Sequence, residues 1–306
     1  MAVICSCDEL GIPNTGFDCF LDPAVATGIW LVPYFDADGN VFTLDCADAP
    51  FDKAYFDLLV NEADKSKRLY PLPAVDNVED VRADSVVFTT AGGVNKLVRS
   101  GVRTFTGLLF DSPALLIDSL ESAGCTDFGV FFIDLNGNII GNSQFEADKL
   151  APFLIEKGTI DPTYIKATDD QPSSVQFKFD YARSEQDKNI GGVSANDITY
   201  SPSLVKGLLD ITATETGVAT NSSFVIETST KFGDVCTNGA LKGAVAGDFT
   251  LVDSIDVAVS PFTVVESPSG TYTFDFTGDP KPSDTLTLNL VKTGFEMNEV
   301  TIITPA

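Results

Sequence analysis

The groups that could do chemistry in this 306-residue chain are carboxylates, lysines and cysteines, because it contains no histidine. Histidine is the one side chain that titrates near neutrality unaided, the usual general base and a frequent metal ligand. Its absence removes Ser–His–Asp and Cys–His mechanisms and every His-ligated metal site. Carboxylate pairs such as Asp36/Asp38 and Asp169/Asp170 recur so often that no single pair marks a site. A glycosidase would set two of them across a groove lined with aromatics. The single tryptophan, Trp30, instead stands in a strand pattern beside a turn, which predicts a place in the core. Gly92-Gly93 and Gly191-Gly192 lack both the following helix and the Gly-Lys-Ser/Thr of a phosphate loop. Nothing marks a Ser–Lys nucleophile. These residues predict a chain that is not an enzyme and uses no cofactor.

Cysteines are the remaining metal candidates. Cys5, Cys7, Cys19 and Cys46 come early, and Cys125 and Cys236 stand alone. Structural zinc sites favour Cys-x2–4-Cys knuckles, which Cys5-x-Cys7 and its distant companions do not match. Reduced thiols acting as small buried hydrophobes are the expectation. Two segments open like calcium loops, Asp36-Ala-Asp-Gly-Asn40 and Asp134-Leu-Asn-Gly-Asn138. A calcium loop of the EF-hand type places glycine sixth and glutamate twelfth. Here glycine is fourth, and both segments read as hairpin turns between apolar runs.

The basic residues are few and clustered. Lys96, Arg99 and Arg103 form a basic patch in a chain with 44 acids, 19 bases and a net charge of −25. They sit in or just after Ala91–Gly101, a connection longer than a hairpin turn needs. Two readings stand: a solvated loop, or an arm contacting an acidic neighbour. The overall acidity disfavours binding to nucleic acid or anionic membrane, since phosphate contacts need Lys and Arg. It also keeps an abundant protein dispersed.

The elements that must position these groups are mostly strands. A 44% hydrophobic content with 23 Phe is enough for a packed core, so the chain is not of the disordered class. Residues 1–30 are rich in turn formers and read as an irregular arm. Hairpins follow at 30–44 and 130–140, with strands at 86–90, 102–110 and 174–181. Phe51, Tyr55, Leu58, Leu59 and Ala63 recur at helical spacing, which predicts a helix over about 51–67 capped by Asp48. Ser112-Pro113 predicts the start of a second helix that ends at Gly124. After a connector at 202–209 the helical period vanishes. Seven strand candidates follow at 211–216, 224–228, 249–252, 263–266, 272–276, 286–291 and 300–303. Their number and spacing predict an immunoglobulin-like sandwich over 210–306. The N-terminus lacks the basic and apolar regions of a signal peptide, and no run reaches the roughly 18 apolar residues of a membrane span.

The combination resembles a known family. A helix-bearing β domain over 31–207 contains Arg103-Thr-Phe-Thr-Gly107, Asp127 to Ile140 with its Asn-Gly turn, and Phe177-Lys-Phe-Asp-Tyr181, followed by the immunoglobulin-like module. This is similar to tail tube proteins of tailed bacteriophages that carry a C-terminal immunoglobulin-like domain. The resemblance implies a mainly β chain whose first domain is a small barrel or sandwich with one or two flanking helices. It implies homo-oligomeric, usually hexameric rings that stack into a tube through which DNA passes without specific binding. A long loop or an N-terminal arm would tie ring to ring, and other virion proteins would be partners. The protein would be assembled in the host cytoplasm and reside in the virion. Other readings are a capsid decoration, collar or sheath-associated protein, a β-rich adhesive or carbohydrate-binding protein, and a carboxylate-based hydrolase.

Overall fold

The computed structural model describes residues 23–185, 187–232 and 239–305. Strands hold 44% of the described residues and helices 12%, so the chain is mainly β. It divides into two compact units between Gly207 and Leu208. Of the cysteines, Cys5, Cys7, Cys19 and Cys236 lie outside the described residues. Cys46 is half-buried and Cys125 exposed, so neither is the fully buried thiol expected.

The first unit is built on two curled antiparallel sheets. One runs Leu44–Asp45, Lys149–Ala151, Ile139–Glu146, Phe128–Asp134, Ala26–Pro33 and Tyr70–Pro71, with Phe153–Leu154 and Ile190–Val193 paired beside this path. The other runs Asp161–Ile165, Ser174–Asp180, Arg103–Phe110 and Val75–Arg82. Strand alternation sends Ile29, Leu31, Val130 and Phe132 from the first sheet into one core with Phe105, Leu109, Phe177 and Phe179 from the second. Phe105 lies 5.0 Å from Phe132 and 5.1 Å from Phe179, ring centre to ring centre, so the sheets meet through aromatics. The intervening residues are buried as well. Trp30 meets Phe56 of the helix Lys53–Val60 edge-on at 5.3 Å, and Phe131 meets Phe42 at 6.1 Å. Covering on both faces explains why Ile29 to Val32 and Val130 to Ile133 are unbroken apolar runs.

Several elements differ from the sequence expectation. The strand Ala26–Pro33 takes in the end of the supposed arm, because Ala26 to Pro33 pair along Phe128–Asp134. The turn at Asp36–Asn40 forms, but its return leg makes only the bridge Phe35 to Val41 before Leu44–Asp45 leaves to pair with Lys149–Ala151. The first helix is half the expected length. Its cap is Asp52, which accepts from the Tyr55 amide at 2.8 Å, and not Asp48, which lies in a separate 3-10 turn. At the far end Asp64 accepts from both the amide and the hydroxyl of Ser66, organising another 3-10 turn over Lys65–Lys67. Such local side-chain bonds compete with a continuing helix. The second helix spans Leu116–Ala123. Ser112 does not cap it, since its hydroxyl donates to the Phe110 carbonyl.

The second unit has eight strands among the described residues. Five form a sheet in the order Thr263–Glu266, Thr271–Asp275, Ser223–Thr230, Leu209–Glu215 and Phe295–Met297. Three form another, Phe249–Val252, Thr285–Leu290 and Val300–Ile303. All pairs are antiparallel except Leu209–Glu215 with Phe295–Met297, a parallel contact by a strand too short to be legible in the sequence. Ile226, Tyr272 and Phe274 of the larger sheet share a core with Leu251, Leu288 and Ile302 of the smaller. The core stacks Phe224 on Phe274 at 4.7 Å and ties the Tyr272 hydroxyl to the Leu241 carbonyl at 2.9 Å.

Candidate assembly interface

The basic patch marks where one β-ribbon leaves the first unit. Val75–Arg82 and Arg103–Phe110 pair antiparallel as far as Arg82 opposite Arg103. The Ala83 amide then donates to the Val102 carbonyl at 2.8 Å, carrying the ribbon outward. At Gly101 the two backbones come so close that a Cβ would run into the Ala83 carbonyl, so only glycine fits. Beyond this root Val86–Thr89 pairs with Asn95–Arg99. The ribbon closes in a turn over Thr90–Val94, where Gly93 takes a φ of +79° and the Thr90 amide donates to the Val94 carbonyl at 2.9 Å. What reads in the sequence as a long loop over 91–101 is thus half of this hairpin, with loop only at its tip.

No residue of either strand is buried. Val86, Val87, Phe88, Val94, Leu97 and Val98 are each between 42% and 65% exposed. Register places Val87 beside Leu97 on one face, and Phe88 beside Lys96 and Val86 beside Arg99 on the other. An isolated two-stranded ribbon is marginal in water, and clustered exposed apolar side chains mark contact surfaces. This ribbon has the composition of an interface.

The three basic residues separate into two groups. Lys96 and Arg99 are exposed on the hairpin and form no ion pair among the described residues. Arg103 belongs to the root and is engaged within the subunit. Its Nε and Nη2 donate to the two carboxylate oxygens of Asp80, both at 2.6 Å, and its Nη1 lies 3.4 Å from Asp187. The guanidinium sits over the Tyr181 ring at 4.7 Å, and the Tyr181 hydroxyl donates to Asp80 at 3.1 Å. Burial works against the Arg103 charge, but the fork to Asp80, then Tyr181 and Asp187, more than restore it and hold its pKa above the ordinary value. Tyr181 is pushed well above the usual phenol range, first by burial and then by the Asp80 carboxylate. Arg103 and its cross-strand neighbour Arg82 are like charges side by side. Arg82 is answered by Asp187 at 2.9 Å and by the Gly101 carbonyl at 3.2 Å.

Among the described residues no group of three or more Cys, Asp or Glu is arranged to hold a metal ion, and no helix is long and apolar enough to cross a membrane. Both Asp-x-x-Gly-Asn segments are closed turns. Asp134 accepts from the amides of Asn136 and Asn138 at 2.9 and 2.8 Å, and Asp36 does the same for Asp38 and Asn40 at 2.9 and 2.8 Å. No protein-family model matches the chain, and no curated protein matches it.

Proposed function

We propose that this chain is a structural virion protein that self-assembles into stacked rings, the tail tube of a tailed bacteriophage, and that its role is mechanical rather than catalytic. The observation that carries the reading is the projecting 83–101 hairpin, apolar on both faces and edged with Lys96 and Arg99. Such a ribbon gains stability by docking on another subunit, and its cations suit a surface that is acidic elsewhere. Two further features support it. The first unit's two curled sheets around one core, with the helix Lys53–Val60 over the outer face of one, fit a tube-type barrel domain. Among the described residues its smaller sheet ends in two unpaired edges, Val75–Arg82 and Asp161–Ile165, which neighbours in a ring could extend.

The second unit is read as an immunoglobulin-like domain. Naming its strands A to G in chain order, with Phe295–Met297 as an addition, the sheets become A-B-E-D and C-F-G. That is the strand arrangement of the constant-type immunoglobulin sandwich. The net charge of −25 then suits a conduit that DNA must traverse without sticking.

Charge reversal tests the hairpin contact. Lys96→Glu with Arg99→Glu leaves the melting temperature unchanged, because neither side chain has an ion pair to lose, and weakens self-association on the order of tenfold or more in sedimentation velocity. Unchanged association would remove the hairpin's cations from the contact. Arg103 is unsuitable for this purpose. Its reversal would set a carboxylate against Asp80 and Asp187 and destabilise the subunit by roughly 3 kcal/mol.

A further inference from the structure

The chain's arginines are Arg68, Arg82, Arg99, Arg103 and Arg183, and all but Arg68 line one pocket of about 200 Å³ at the hairpin root. Three come from the ribbon itself. Arg183 arrives from the segment that follows the Ser174–Asp180 strand. In a protein this acidic, gathering four guanidinium groups against mutual repulsion needs an anionic counterpart. The subunit supplies only part of it. Asp80 answers Arg103, and Asp187 answers Arg82 with a weaker contact to Arg103. Glu185 also lines the pocket, but it is buried and its oxygens are taken by the Asn142 side-chain amide at 3.0 Å and the Leu154 amide at 3.4 Å. Arg99 and Arg183 are exposed, and their side chains have no ion pair or hydrogen bond among the described residues. The Arg82 Nε, buried in the pocket wall, also has no hydrogen-bond partner.

We infer that this pocket seats an acidic side chain from a second copy of the chain, held between Arg99 and Arg183. This deepens the assembly proposed above and rests on it. A carboxylate is the planar two-oxygen acceptor that a guanidinium fork matches, and the pocket is large enough for one side-chain terminus. The occupant follows from charge complementarity. The chain has 44 carboxylates against 19 cations, so on a neighbouring copy acids outnumber bases by more than two to one. The seat lies beside the apolar hairpin, so both would engage the same neighbour.

Arg183 is the residue to change, because it lies off the hairpin and makes no contact whose loss would unfold the subunit. With the full chain, Arg183→Gln weakens self-association on the order of tenfold and flattens its salt dependence, while the melting temperature stays put. Arg183→Lys, which keeps the charge, loses less. Lys166→Gln, an equal change in net charge at another exposed position, loses nothing. Inorganic phosphate dissociates the wild-type assembly more than chloride at matched ionic strength, by occupying the seat. If Arg183→Gln assembles as the wild type does, the seat is wrong and the tube reading is untouched. If phosphate also binds the wild type under that result, the pocket serves a free oxyanion instead. A wild-type chain that stays monomeric at every concentration removes both proposals together.

Discussion

Replacing Phe88 and Leu97 by serine abolishes self-association and leaves the subunit's melting temperature where it was. Phe88 is 59% exposed and Leu97 65% exposed, on opposite faces of a hairpin none of whose strand residues is buried. Within the subunit there is accordingly little apolar burial to lose. At an interface each would contribute about 1.5–3 kcal/mol if fully covered, so losing both costs roughly a hundredfold or more per contact. In a ring that loss recurs at every joint. Sedimentation velocity over a concentration series reads the association, and scanning calorimetry reads the fold. A variant that unfolds at lower temperature would show that the hairpin packs on its own subunit. One that assembles normally would show that the apolar faces are not the contact.

The second large effect is on stability and compares two copies of one motif. Asp134→Ala destabilises the first unit by roughly 3 kcal/mol, a fall of about 10 °C in its melting temperature. Asp36→Ala leaves the melting temperature almost unchanged. Both aspartates close an Asp-x-x-Gly-Asn turn and both accept from the amides two and four residues on. Each also accepts from the asparagine side-chain amide, Asn138 at 2.7 Å and Asn40 at 3.1 Å, but Asp134 is only 2% exposed and accepts from the Ala24 amide at 3.1 Å as well. Removing it leaves the buried backbone and side-chain amides of Asn138 without their acceptor. The bonds that Asp36 makes are exposed, so water replaces each. Equal effects in calorimetry would mean that burial does not decide the cost.

That pair also shows where sequence reading runs out. The two turns are legible because glycine and asparagine supply φ and side-chain chemistry locally, whereas their burial depends on what lies 110 residues away at Ala24. The same holds among the strands. Thr263–Glu266 and Val300–Ile303 are visible from β-branched alternation in a few residues. Val75–Arg82 is hidden because Asp76, Glu79 and Asp80 dilute its apolar positions. It is an edge strand with a register shift between Asp76 and Glu79 and a left-handed Asn77, so strict alternation is lost. Lys96, Arg99 and Arg103 stand out in sequence as one patch. Their division into a hairpin pair and a root residue does not, because Asp80 and Asp187, which claim Arg103, are distant in the chain. Arg183 gave no signal, since only the fold brings it to Arg99.

Electron microscopy of the purified full chain decides whether identical subunits form a ring held by the hairpin. The predicted result is rings or stacked tubes with a central pore wide enough for duplex DNA, and density for residues 83–101 resting on a neighbouring subunit. Separate single subunits at high concentration, or assemblies in which that hairpin points free into solvent, would contradict it.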